Sequence, residues 1–164
     1  MNIAVRKIPA VKTKVAWIGK TKEPAFQSLT EEYAKRISRY AQFETMPFRD
    51  EAALLQTAGR APGSIGKGGS FEKSTLVVMD ARGKQFSSEE FARFLGDYQD
   101  RNPLPLMFAV GPADGFSDAA VRAAQHTISL GKMTLAHELA RVVLLEQIYR
   151  AFTILKNHPY HSGH

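Results

Sequence analysis

The chain contains no cysteine, and that absence removes disulfides, thiolate-ligated zinc and thiol catalysis together. Nothing in it calls for an oxidising compartment. No segment approaches the roughly 18 consecutive apolar residues of a membrane span. The opening MNIAVRKIPAVKTK carries Arg6, Lys7, Lys12 and Lys14 but lacks the apolar core of a secretory signal. The expectations are a cytoplasmic protein with no membrane partner, and a basic arm over residues 1–14 preceding one folded domain over residues 15–164.

Several motifs are also missing. In GSIGKGGS a phosphate-binding P-loop would need glycine at position 61 and Ser or Thr at position 68, where Ala61 and Gly68 stand. His137-Glu138 begins like the zinc-protease HExxH, but Arg141 occupies the place of the second histidine. No G-x-S-x-G elbow marks a serine hydrolase and no G-x-G-x-x-G a dinucleotide site. His158, His161 and His164 recur every third residue after the helical stretch, without a carboxylate beside them, so no metal is expected.

What is present suits one globular domain: 164 residues, 44% of them hydrophobic, with no internal repeat. Lys and Arg outnumber Asp and Glu by 22 to 16, and the net charge of +6 inclines the surface toward polyanions such as nucleic acid.

Along the chain, strands alternate with helices. KVAWIGK reads as a short buried strand ending at Gly19, and Ser28 with Glu31 reads as a capping box opening an amphipathic helix in SLTEEYAKRISRY. AQFETMPF (41–48) is a second strand and RDEAALLQTA a short helix, followed by RAPGSIGKGGSFEK, a flexible basic loop. TLVVMD (75–80) and LPLMFAV (104–110) are apolar runs typical of strands covered on both faces, with a helix between them capped by Ser87 and Glu90. A helix in SDAAVRAAQH, a short TISL strand and a long helix from about Leu135 to Lys156 complete the pattern. Such alternation implies an α/β domain with a mostly parallel sheet flanked by helices.

On the long helix, Leu139, Val142, Val143, Tyr149, Phe152 and Leu155 fall near one apolar side, but apolar residues spill around it, which points to a second packing partner such as another copy of the chain. Arg141 and Arg150 are expected solvated or paired with Glu138 and Glu146. Past it, NHPYHSGH reads as a loose end.

In open α/β sheets ligands bind beyond the carboxyl ends of the strands. The segments to inspect are therefore VVMDARGK, FAVGPADGF and ISLGKMTLAHE, where Gly111, Gly115 and Gly131 permit close backbone approach to a small ligand.

The stretch ISLGKMTLAHELARVVLLEQIYRAFTILKNHPYH, with GPADG, VVMDARGK, EEYAKR and WIGK before it, resembles the SPOUT-superfamily methyltransferases of the RlmH type. These N3-methylate a pseudouridine in bacterial large-subunit (23S) ribosomal RNA. The resemblance covers about residues 15–161. It implies a SPOUT fold with a trefoil knot at its carboxyl end, S-adenosylmethionine as cofactor, and a homodimer in which the tail of one subunit completes the other's site. Carried over by position, Met79, Gly111, Gly115, Gly131, Lys132, Met133, Thr134, Leu135 and Ala136 would hold the cofactor. Arg150, Tyr160 and His161 would serve the chemistry, His161 taking the proton of the base nitrogen, Arg150 facing the charge that develops and Tyr160 contacting the base.

RNA phosphates are expected to meet Arg6, Lys7, Lys12, Lys14, Lys67 and Lys73. The chain departs from the family pattern at Val110, Ala113-Asp114, Gly131, Ala136 and Ser162. Two further readings stay open here: a non-catalytic RNA-binding or ribosome-associated protein, and a methyltransferase with a different RNA acceptor.

Overall fold

A computed structural model describes residues 11–59, 65–66, 69–70 and 73–162. Five strands, β1 (Thr13–Ile18), β2 (Phe43–Phe48), β5 (Thr75–Gln85), β6 (Leu106–Val110) and β7 (His126–Ser129), form one parallel sheet in the order β2-β1-β6-β5-β7. The helices are α1 (Pro24–Ile37), α2 (Glu51–Ala58), α3 (Ser88–Arg101), α4 (Asp118–Ala123) and α5 (His137–Leu155). Within the expected basic loop, β3 (Ile65–Gly66) and β4 (Gly69–Ser70) make a small antiparallel ladder, and the rest of that loop lies outside the described residues up to Lys73.

Side chains on a strand alternate between faces, so each apolar run feeds two cores. Val15, Trp17, Val77, Leu106, Phe108 and Val110 join Leu95, Leu144, Leu145 and Ile148 on the side of α1, α3 and α5. Ala16, Ile18, Leu76, Val78, Met107 and Ala109 join Leu54, Phe116 and Ala120 on the side of α2 and α4. Each of the large side chains that is fully buried here contributes about 1.5–3 kcal/mol. The result is a three-layer α/β domain.

The Ser87 capping box forms as expected: the Glu90 amide donates to Ser87 Oγ at 3.1 Å, and the Ser87 amide donates to Glu90 Oε2 at 2.8 Å. The box expected at Ser28 does not form. Helix α1 begins at Pro24, whose ring pre-sets the helical φ at a position where an amide is not needed. Ser28 therefore lies inside the helix, and Glu31 accepts instead from Gln27 Nε2 at 2.7 Å.

Strand β1 begins at Thr13, inside the span expected to be a basic arm. Lys14 is buried, 3.7 Å from Glu44, and Lys12 bonds the same carboxylate at 3.1 Å, so both lysines are engaged between β1 and β2. Arg6, Lys7 and Lys67 lie outside the described residues.

Helix α5 starts at His137, two residues later than expected, and packs against α1 and α3. Its buried stripe is Val142, Leu144, Leu145, Ile148, Ala151 and Phe152, while Leu139 is exposed. Arg141 is neither solvated nor ion-paired. Its guanidinium is buried 4.1 Å from the Trp17 ring centroid, and Nη2 donates to Thr21 Oγ1 at 2.8 Å. As far as Ser162, the tail is also not loose. Asn157 adopts φ of +56° while the His158 and Asn157 amides donate to Thr153 O and Ile154 O, a Schellman motif that folds Pro159–Ser162 back as a 3-10 turn on α5.

One irregularity shapes the sheet. Met79 and Lys84 both face Ile128 across β5 and β7, so Asp80–Gly83 bulges out of the ladder. A Cβ on Gly83 would lie 2.6 Å from the Thr127 and Ile128 backbones. Gly83→Ala is expected to lower stability by about 1–3 kcal/mol in urea unfolding, because rigid backbone rather than a side chain must yield. An unchanged midpoint would contradict this close approach.

Candidate active site

The register aligns Met79 with Val110 and with Ile128, so the β5 bulge and the loops after β6 and β7 leave the sheet at one edge. Between these loops and the start of α5 is a cavity of about 360 Å³. Met79, Gly111, Gly115, Gly131, Met133, Thr134 and Leu135, all expected from the sequence, line it. Lys132 and Ala136 do not; both are exposed on the outside of the same loop. Asp80, Ser129, Leu130, His137 and Ala140 also contribute to the wall and were not singled out.

Local chemistry fixes each wall. Phe116 packs beneath Gly111, where a Cβ would stand 3.1 Å from the ring. The GPADG turn closes through the Gly115 amide to Pro112 O at 2.9 Å, with Gly115 at φ +82°. Ser129 Oγ accepts from the Gly131 amide at 3.0 Å and donates to Gly131 O at 2.8 Å, pinning the third loop around a residue at φ +142°, where glycine is at ease. Val110, one of the departures from the resembled pattern, is the last residue of β6 and is buried in the core, so its branched side chain suits the strand. Arg82 donates to both Asp80 oxygens at 2.9 and 3.1 Å and to Asp118 Oδ1 at 2.7 Å, clipping the bulge to α4. These bonds hold the Asp80 carboxyl below the usual carboxylate range.

Arg150, Tyr160 and His161 come together elsewhere, at the far end of α5. Arg150 donates from Nε and Nη2 to Glu146 Oε1 at 3.0 and 2.6 Å, the ion pair expected for it, and its guanidinium carbon is 5.3 Å from the Tyr160 ring centroid. Tyr160 Oη donates to the same Glu146 oxygen at 3.3 Å, and its ring meets Tyr149 edge-on at 4.6 Å. Burial pushes the Tyr160 phenol well above its ordinary value, and the Glu146 carboxylate pushes the same way. Tyr160 therefore stays protonated at neutral pH. Hydrogen bonding to Glu146 keeps Arg150 firmly cationic. His161 is half-buried, and its Nδ1 has no hydrogen-bond partner among the described residues.

Tyr33 and Tyr40 extend the cluster, 6.1 and 6.0 Å from the Tyr149 ring. Tyr33 lies on α1 and Tyr40 just past its end; the sequence gives no local signal for either, because both meet Tyr149 of α5 only across a long separation in the chain. No group of three or more His, Cys, Asp or Glu is placed to hold a metal among the described residues, which exclude His164. Among them, no helix is long and apolar enough to cross a membrane.

Known proteins supply the comparison. A family model described as "Predicted SPOUT methyltransferase" matches residues 11–161. Ribosomal RNA large subunit methyltransferase H of Koribacter versatilis is 52% identical over 154 residues, covering 94% of this chain and 100% of the relative. Its namesake from Geobacter sp. strain M21 is 43% identical over 157 residues, covering 92% and 99%. Among solved structures, a probable methylase family protein from Haemophilus influenzae aligns with TM-score 0.54 at 12% identity, over 90% of this chain and 69% of that one. Ribosomal RNA small subunit methyltransferase E from Neisseria gonorrhoeae, bound to S-adenosyl methionine, aligns with TM-score 0.51 at 14% identity, over 93% and 69%. These two likenesses concern the fold.

The tyrosine cluster gives a direct measurement. In ultraviolet titration, subtracting the Tyr160→Phe variant from the parent should place the Tyr160 transition well above the usual phenol value of about 10. Glu146→Gln should move it down, since a carboxylate beside the phenol disfavours the phenolate. Ionisation of Tyr160 at or below the usual value would contradict the geometry.

Proposed function

This chain belongs to the SPOUT methyltransferase family, and from that premise we propose that it uses S-adenosylmethionine to N3-methylate a pseudouridine of 23S ribosomal RNA in the cytoplasm. The observation that carries the proposal is that the match spans the full length of an rRNA methyltransferase while the residues carried over for the cofactor converge on one cavity.

The cavity suits that cofactor. Its volume of about 360 Å³ falls within the range of about 300–1,000 Å³ usual for small-ligand sites. Met79, Val110 and Leu135 offer apolar wall, and the turns at Gly111 and Gly131 bring backbone polar groups close. Ala136, at the N-cap of α5, provides no side-chain cap, leaving first-turn amides available to a carboxylate. When bound, S-adenosylmethionine supplies an electrophilic methyl group on a sulfonium.

The remaining work is to orient the base and to remove its N3 proton. With Arg150 permanently cationic and Tyr160 protonated, His161 is the member of the trio left to accept that proton, through an imidazole nitrogen. Arg150 faces the negative charge that develops on the base oxygens. Tyr160 stacks on the base or donates to it.

Within one chain these parts stand apart. Arg150 lies beyond His137 on a single helix by roughly 20 Å, at about 1.5 Å per residue. One protomer therefore cannot bring its own tail to its own cavity. We assign the missing half to a second copy. Exposed Leu130 and Met133 at the cavity, with Leu29 and Leu139 on the early turns of α1 and α5, offer an apolar face for a two-fold dimer that lays each tail over the partner's cavity. The trefoil knot belongs to the same proposal.

Titration calorimetry should show S-adenosylmethionine binding that Gly111→Val abolishes, because added side-chain volume meets Phe116. With unmodified ribosomes and labelled cofactor, His161→Ala should slow single-turnover methyl transfer by about 10²–10⁴-fold, as expected for loss of a general base. Primer extension should stop at the modified base, since N3 lies on its pairing edge. Full single-turnover activity in His161→Ala would remove the base assignment. Cofactor binding without transfer to ribosomes would favour another RNA acceptor, and RNA binding without cofactor binding would favour a non-catalytic role.

A further inference from the structure

Arg36, on α1, is not among the residues expected to act, yet it is a half-buried cation held against the tyrosine cluster that the tail joins. Its Nε donates to Glu32 Oε1 at 2.8 Å. The guanidinium carbon is 5.4 Å from the Tyr33 ring centroid and 5.6 Å from that of Tyr149. The side chain remains 35% exposed. Tyrosine faces and one carboxylate thus fix the guanidinium, while Nη1 and Nη2 make no hydrogen bond among the described residues. The open edge is the fork that pairs with two oxygens of a phosphate.

The setting favours an anion. Glu32 balances one positive charge, but Lys35 and Arg39, both exposed, flank Arg36 on the last turns of the same segment. Tyr149 links Arg36 to Tyr160, which in turn abuts Arg150. By those separations the two guanidinium carbons are at most about 16 Å apart, a span that a few nucleotides of single-stranded RNA cover. Arg150 is occupied by Glu146 on its Nε and Nη2, whereas Arg36 keeps both terminal nitrogens open.

We propose that Arg36 binds a backbone phosphate of the acceptor RNA next to the target nucleotide, with the tyrosines of α1 and α5 serving to hold the guanidinium in place. A rigid guanidinium loses little freedom on binding, so its contact is stronger than that of the exposed Lys35 beside it. This inference rests on the proposed ribosomal RNA substrate, and its test separates the two.

The test measures binding of unmodified ribosomes to the full-length protein across a salt series, and KM and kcat for methyl transfer, in the parent, Arg36→Gln and Arg36→Lys. Arg36→Gln should weaken ribosome binding about tenfold, the value of a charge-assisted hydrogen bond. It should also reduce the slope of log affinity against log salt by about 0.7–0.9, one phosphate contact. The loss should fall on KM more than on kcat. Arg36→Lys should keep the slope but lose affinity, since charge survives and the fork does not. A slope and affinity unchanged in Arg36→Gln, or a lower melting temperature as its only effect, would overturn the inference. If the parent transfers no methyl group while its ribosome binding still depends on Arg36, the enzymatic reading fails and the phosphate contact stands.

Discussion

Everything at the cavity depends on the register of three parallel strands. Because Met79, Val110 and Ile128 stand side by side in the sheet, the β5 bulge and the loops after β6 and β7 leave from a common edge. Each loop is then tied by its own short-range chemistry: the Asp80–Arg82–Asp118 clip, the Pro112–Gly115 turn, and the Ser129 hydroxyl on Gly131. A shift of one residue in any strand would turn its apolar side chains to the wrong layer, so core packing and cavity geometry are set by the same register.

Helix α5 extends that constraint across the molecule. Its first turn borders the cavity, its middle fills the core, and its end carries Arg150 and, through the Schellman turn, Tyr160 and His161. A straight helix holds its ends apart. The two groups of residues are held at opposite ends of one helix, and the proposed second chain is what would join them.

How much of this was legible in the sequence follows from the range of the interactions. The continuous apolar runs of β5 and β6, the short buried strand β1 and the Ser87–Glu90 box are local, and they appear as read. Met79, Gly111 and Gly131 were legible as strand-end residues, aided by family resemblance. The failures have physical causes. Pro24 overrode the weaker cap signal at Ser28. Burial of Arg141 requires Trp17 and Thr21, which are distant in sequence. Asn157 before His-Pro was a helix-stop signal that would have predicted an ordered tail, and it was overlooked. Gly83 lies in a quoted segment, but its need for close approach to Thr127 and Ile128 exists only once β5 and β7 are paired. The tyrosine cluster likewise joins α1, α5 and the tail across long separations.

The central claim is that a working site takes its cavity from one chain and its tail from another. The measurement that addresses it is complementation: mix Gly111→Val protein with His161→Ala protein, allow subunits to exchange, and assay methyl transfer to unmodified ribosomes. A mixed dimer would contain one intact cavity opposite one intact tail, so activity should return to about a quarter of the parent's under random pairing. Mixed dimers that form but stay inactive, from two variants that each retain their fold, would contradict a shared site.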